Sequence, residues 1–276
     1  MKIDRKSLFG LAFALPLLAT AGAHAAVGDW AEGSKARVRL VAAGIAADGT
    51  IDGAIEIVLP PGWKTYWRNP GTAGIAPTFD FSGSANIGEP EIAFPVPKRH
   101  DDGYSVTNVY EGGVVLPFRA AAADPARPVE IVADMQLGVC EEVCVPDAVT
   151  ASLAVGPGMN DPETAAILKD ARAKLPGPPE PGVIAVDSVV REGGTDKRPL
   201  FRVTATMPAG AAPEIFVEGP QDWAAYAPVL AETDGDKALF DVKFSRVGAD
   251  TPIAGAAIRV TLVSGKRAIE QTITLD

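Results

Sequence analysis

Val129-Glu130-Ile131-Val132-Ala133-Asp134-Met135-Gln136-Leu137 and Val149-Thr150-Ala151-Ser152-Leu153-Ala154-Val155 are two apolar–polar alternations. Between them runs Gly138-Val139-Cys140-Glu141-Glu142-Val143-Cys144-Val145-Pro146. A period of two sends successive side chains to opposite faces of a sheet, so both segments read as strands with one face toward a core. The same pattern extends upstream through Ala36–Val41, Ile51–Leu59 and Val114–Phe118, with Pro60-Pro61-Gly62 ending the second of these. Short alternating runs bounded by Gly, Pro and Asp, with no helical stretch between them, predict an antiparallel β-sandwich over residues 26–155.

Residues 156–182 change character. Asp161-Pro162-Glu163 reads as a helix start, with Asp as N-cap and Pro at the first helical position. Ile167, Leu168, Ala171 and Leu175 form a stripe of helical period. Pro176-Gly177-Pro178-Pro179-Glu180-Pro181 ends it and predicts a stiff extended spacer. Alternation returns at Phe201–Met207, Ala238–Phe244, Ala257–Val263 and Ile269–Leu275. Residues 183–276 therefore predict a second sandwich, near the size of an immunoglobulin-like domain. The fold class expected is all-β: two immunoglobulin-like sandwiches joined by a short helix and a Pro-rich linker. No sequence repeat relates the halves.

Residues 1–25 carry the marks of a secretory signal. Lys2, Arg5 and Lys6 precede an apolar run from Leu8 to Leu18, and Ala23-His24-Ala25 is a small-x-small cleavage site. The run is too short for a stable membrane anchor. Export to an oxidising compartment, the periplasm, is expected, where disulfides persist. The net charge of −10, with no Lys/Arg cluster, argues against nucleic-acid and anionic-membrane partners. Two cysteines and two histidines in 276 residues leave too few ligands for a four-cysteine zinc site or a histidine cluster. No metal or cofactor is expected.

Cys140 and Cys144 are the only cysteines. In a straight strand they would stand about 13 Å apart, beyond the roughly 7 Å that a disulfide tolerates. Glu141-Glu142-Val143 has the length of a hairpin connection, which would bring the cysteines face to face. Three readings of such a pair remain open. As a staple, a loop of about five residues contributes only about 2 kcal/mol of chain-entropy stabilisation. As a redox-exchange pair, its small loop is no handicap. As two soft thiolates, it could hold Cu(I), although Met135, Met159 and Met207 are too scattered to make a copper tract. Glu141 and Glu142 disfavour the thiolate, and no cation lies within the loop, so the pair is expected to react only when docked to a partner that carries its own activated thiol. His100, in Lys98-Arg99-His100-Asp101-Asp102, reads as part of a solvated loop, and Trp63, Tyr66 and Trp67 read as core or sheet-face packing.

The CEEVCVP segment, together with Pro61-Gly62-Trp63-Lys64-Thr65-Tyr66-Trp67-Arg68-Asn69-Pro70-Gly71 and the stretch from His100 to Phe118, resembles the N-terminal periplasmic domain of DsbD-type and ScsB-type thiol–disulfide interchange proteins. The resemblance spans about Trp30 to Val155 and extends to the tail if that is the extra domain of ScsB-like proteins. It implies an immunoglobulin-like sandwich that passes electrons from a membrane-embedded transporter to periplasmic thioredoxin-fold proteins. Family recipients include disulfide isomerases, cytochrome c maturation factors and a partner linked to copper tolerance. By position, Cys140 and Cys144 would be the exchange pair, with Cys144 forming the mixed disulfide. Asp101, Asp102 and Tyr104 fall in the family's cap loop. Tyr66 matches a tyrosine beside the site, and Glu141 and Glu142 border it. This chain ends at Asp276 without a transporter or a thioredoxin-like domain, so the expected reductant is another polypeptide.

Overall fold

The computed structural model describes residues 27–159, 161–210 and 212–276; the signal expected at residues 1–25 lies outside them. The described chain is all-β apart from one α-helix. The first eleven strands are β1 (Ala31–Glu32), β2 (Arg37–Ala42), β3 (Thr50–Val58), β4 (Lys64–Gly71), β5 (Thr78–Asp80), β6 (Glu91–Ile92), β7 (Lys98–Asp101), β8 (Val106–Glu111), β9 (Gly113–Ala121), β10 (Val129–Cys140) and β11 (Cys144–Val155). They form two sheets, ordered β1-β2-β3-β9-β6 and β11-β10-β4-β8-β7, with β5 also paired to β10. The inward residues of the two sheets meet in one core: Leu40, Ile55 and Leu116 come from the first, and Trp67, Ile131, Met135 and Leu137 from the second. Each such side chain contributes about 1.5–3 kcal/mol by leaving water.

The alternation of β10 holds from Val129 to Gln136 and then stops, with Leu137 to Cys140 all buried. There β4 lies alongside, pairing Thr65 with Val139 and Lys64 with Cys140, and covers the hairpin tip. The other end of the hairpin connection is tied down by Asp147. Its carboxylate accepts from the backbone N–H groups of Ser34, Lys35 and Ala36 at 2.6, 2.8 and 2.7 Å. Burial pushes that carboxyl up, but the three donors outweigh it and hold it below the usual carboxylate range.

Helix α1 (Pro162–Arg172) begins as the sequence predicts, with Asp161 as N-cap accepting from Thr164 N–H. Leu168 and Ala171 are buried, and Arg172 pairs with Asp52 of β3. The Pro-rich segment that follows is not a free spacer. Gly177 donates to Ala268 and accepts from Glu270, and Glu180 pairs with Arg267, so the segment lies along the second unit as an added edge. Gly177 supplies the N–H that its proline neighbours lack.

That second unit contains β12 (Ala185–Thr195), β13 (Arg198–Thr206), β14 (Pro213–Glu218), β15 (Ala224–Ala225), β16 (Val229–Asp234), β17 (Lys237–Ser245), β18 (Ala257–Ser264) and β19 (Arg267–Thr274). One sheet runs β12-β13-β17-β15, with β16 also on β17, and the other runs β14-β18-β19. Phe201, Phe240, Phe244, Ile258 and Leu262 fill the space between them. Phe216 of β14 points elsewhere: it is buried in the first core, with its ring edge-on to Trp67 at 5.8 Å.

Candidate functional site

The last register pair of the β10–β11 hairpin is Cys140 with Cys144, so the chain folds back over Glu141-Glu142-Val143 as the spacing requires. The Cα atoms are 4.1 Å apart and the sulfurs are bonded. The two ends of that bond have different surroundings. Cys140 is 1 % exposed, packed with Tyr66 and Val109, whereas Cys144 is exposed at the rim beside Val143, itself 70 % exposed.

Tyr66 of β4 reaches both sulfurs. Its hydroxyl lies 3.0 Å from Cys140 Sγ and 3.1 Å from Cys144 Sγ. A disulfide sulfur has no hydrogen, so the phenol donates. Burial, with a further push from the nearby Asp102 carboxylate, raises the phenol above its ordinary value and keeps that proton in place at neutral pH. The ring is seated by two glycines. A Cβ on Gly74, whose φ is +97°, would stand 2.4 Å from the ring, and one on Gly138 would stand 2.9 Å from it. Thr65 Oγ1 donates to the Gly138 carbonyl at 2.9 Å and fixes β4 against the hairpin.

A cleft of about 470 Å³ opens beside the bond, lined by Lys64, Tyr66, Ile75, His100, Asp102, Tyr104, Glu141, Glu142 and both cysteines, among others. Its far wall is the β7–β8 turn. Asp102 caps that turn by accepting from Tyr104 N–H at 2.9 Å and Ser105 N–H at 2.7 Å, and these donors hold its carboxyl below the usual range. The Tyr104 side chain is fully exposed. Asp101 does not line the cleft; its carboxylate accepts from Gly103 N–H at 2.8 Å on the outer side of the turn.

Two basic side chains, Lys64 and His100, stand at this cleft that the residue types alone did not place there. Lys64 is the cross-strand partner of Cys140, and its Nζ donates to the Glu141 carbonyl at 3.1 Å. Its signal was the period of β4, which puts Lys64 and Tyr66 on one face. His100, expected in a solvated loop, is instead a half-buried β7 residue of the cleft wall, because β7 and β8 pair across the turn. Trp67 does pack in the core, as expected, but Tyr66 serves the sulfurs. Among the described residues, no group of three His, Cys, Asp or Glu side chains is placed to hold a metal ion.

Residues 36–155 match the family described as thiol:disulfide interchange protein DsbD, N-terminal. This segment resembles a DsbD N-terminal domain. The cysteine hairpin, Tyr66 and the β7–β8 turn all lie within it. Residues 174–276 match a domain of unknown function, DUF8393. The structure is similar to the crystal structure of the N-terminal periplasmic domain of ScsB from Proteus mirabilis, with a TM-score of 0.71 and 24% identity, covering 91% of this chain and 99% of that one. That likeness extends the shared fold over the DsbD N-terminal domain and the second sandwich together. No curated protein matches the chain.

Proposed function

We propose that this protein is a periplasmic electron carrier that exchanges its Cys140–Cys144 disulfide with thioredoxin-fold partners. The observation that carries the reading is the asymmetry of the bond: an exposed Cys144 joined to a buried Cys140, with one phenol proton shared between their sulfurs. An incoming thiolate can approach only the exposed end. Attack on Cys144 Sγ forms a mixed disulfide and breaks the bond to Cys140, which leaves as a thiolate and takes the Tyr66 hydrogen bond. A second thiol on the partner, once deprotonated, attacks the partner's own sulfur in the mixed disulfide and releases Cys144. The partner ends as a disulfide, and this chain has gained two electrons and, with them, the protons of its two thiols. Run in reverse, the same steps reduce the next partner. Lys64 offsets part of the negative field of Glu141, Glu142 and Asp102 while the thiolate is present.

A membrane-embedded transporter that works through a thioredoxin-like domain is the reductant we infer, and the family match supports that choice. The signal-like residues 1–25 support the periplasmic assignment. Among the described residues, no helix is long and apolar enough to cross a membrane.

The test is a trapping pair. With an oxidised thioredoxin-fold protein, whose disulfide the free Cys144 thiolate attacks, Cys140→Ser is expected to accumulate a mixed disulfide through Cys144, and Cys144→Ser to accumulate none. Equal trapping by both variants would refute the assignment of Cys144. No trapping by either, together with a melting temperature that falls by several degrees when both cysteines become alanine, would make the bond a staple.

A further inference from the structure

Strand β14 of the second domain reaches the walls of the cysteine cleft from behind, in two places. The first is β4, just beyond Tyr66. Arg68 Nε lies 3.0 Å from both carboxylate oxygens of Glu218, Nη2 lies 2.6 Å from one of them, and Nη2 also bonds Glu270 of β19. The neighbouring Trp67 meets the Phe216 ring. The second place is β7. Arg99 Nη2 donates to the Ile215 carbonyl at 2.7 Å, its Nη1 stands 3.2 Å from Glu214, and the guanidinium lies 5.0 Å over the Phe216 ring.

These two places differ in what else supports them. β4 lies inside its sheet, between β10 and β8. β7 is an edge strand, joined only to β8, by register pairs from Lys98 with Val109 to Asp101 with Val106. The turn it leads into is held mainly by its own Asp102 contacts. A short edge strand is the kind of element that opens locally at low cost. Arg99 is the residue next to His100, and it joins this weak wall to the other domain through a carbonyl, a carboxylate and an aromatic face together. Lysine could not form that fork.

We propose that Arg99 is a positioning residue through which the second domain holds the His100–Ser105 wall in place, so that strand β14 sets how readily the wall opens away from the disulfide. The second domain is then the rear support of the cleft and not an independent module. The proposal rests on reading Cys140–Cys144 as the exchange pair, but its test needs no protein partner. The full-length oxidised protein carrying Arg99→Met keeps an apolar stem over Phe216 and loses the fork. Hydrogen exchange is followed by mass spectrometry over residues 98–107, and reduction of the disulfide by dithiothreitol is followed by quench and alkylation. Exchange about tenfold faster in that segment is expected, with reduction accelerated several-fold and exchange of the β10–β11 hairpin unchanged. Wild-type exchange in residues 98–107 would overturn the proposal. Faster exchange with an unchanged reduction rate would overturn it too, because the wall would not then control access to the sulfurs. Should Arg99→Met fail to fold, Glu214→Gln removes only the ion pair and leaves the Ile215 bond; a smaller acceleration in the same segment is expected, and none would overturn the proposal. A failure to exchange electrons with thioredoxin-fold proteins would leave these readouts standing, so the two ideas fail separately.

Discussion

Replacing Tyr66 with phenylalanine removes one oxygen and leaves the ring between Gly74 and Gly138. In the oxidised protein that oxygen donates to two disulfide sulfurs, which are weak acceptors, so little stability depends on it. Once the bond opens, the same O–H faces a thiolate at Cys140. Hydrogen bonds to charged groups are worth about 1.5–3 kcal/mol net. Taking the low end, because sulfur accepts weakly, Tyr66→Phe should cost the Cys140 thiolate about 1.5 kcal/mol and push its thiol up. A leaving thiolate carries only part of its charge in the transition state, so its release should slow by about three- to tenfold. Acid quench and alkylation after mixing the oxidised variant with a reduced thioredoxin-fold protein would give the rate, and an ultraviolet titration of the reduced variant would give the thiol shift. A melting temperature within a degree of the parent would show that packing survives. An exchange rate within twofold of the parent, in a folded variant, would refute the role given to the phenol.

Gly138→Ala puts a Cβ 2.6 Å from the Ile75 Cβ and 2.9 Å from the Tyr66 ring; urea unfolding should show a loss of about 1–3 kcal/mol, and exchange should slow as it does for Tyr66→Phe. Asp147→Asn weakens three charge-assisted bonds and should cost about 2–4 kcal/mol at pH 7. Because the Asp147 carboxyl lies below its unfolded value, its contribution is full above about pH 4 and is lost as pH falls through the folded value. The difference between variant and parent in urea midpoint should therefore shrink toward pH 2. Arg68→Met leaves Glu218 and Glu270 without their shared cation; about 1–3 kcal/mol of lost stability is expected in calorimetry, and a loss below about 0.5 kcal/mol would contradict the half-buried pairing.

The strands were legible wherever one face is dry. Ile51–Leu59 and Val129–Leu137 alternate because their sheets are wet on one side, and β3 and β10 follow those runs closely. The hairpin was legible because five residues cannot hold two bonded cysteines in a straight strand. What the residue pattern could not show is register between distant segments. Lys64 stands opposite Cys140 across 76 positions of chain; the period of β4 puts it on the face of Tyr66, but nothing near either residue announces the pairing. His100 looked solvated because its neighbours are charged, but pairing of β7 with β8 turns it inward. The Pro-rich segment looked free because prolines cannot pair on both edges; the Gly177 backbone bonds and the Glu180–Arg267 pair attach it to β19.

Below the bonded cysteines the hairpin is paired without interruption, from Val139 opposite Val145 down to Val129 opposite Val155. Opening the sulfur bond would therefore free only the tip and leave the paired hairpin below it in place. On the proposed exchange, a partner would then sense the change of oxidation state at that tip alone, where two S–H groups stand in place of one S–S bond.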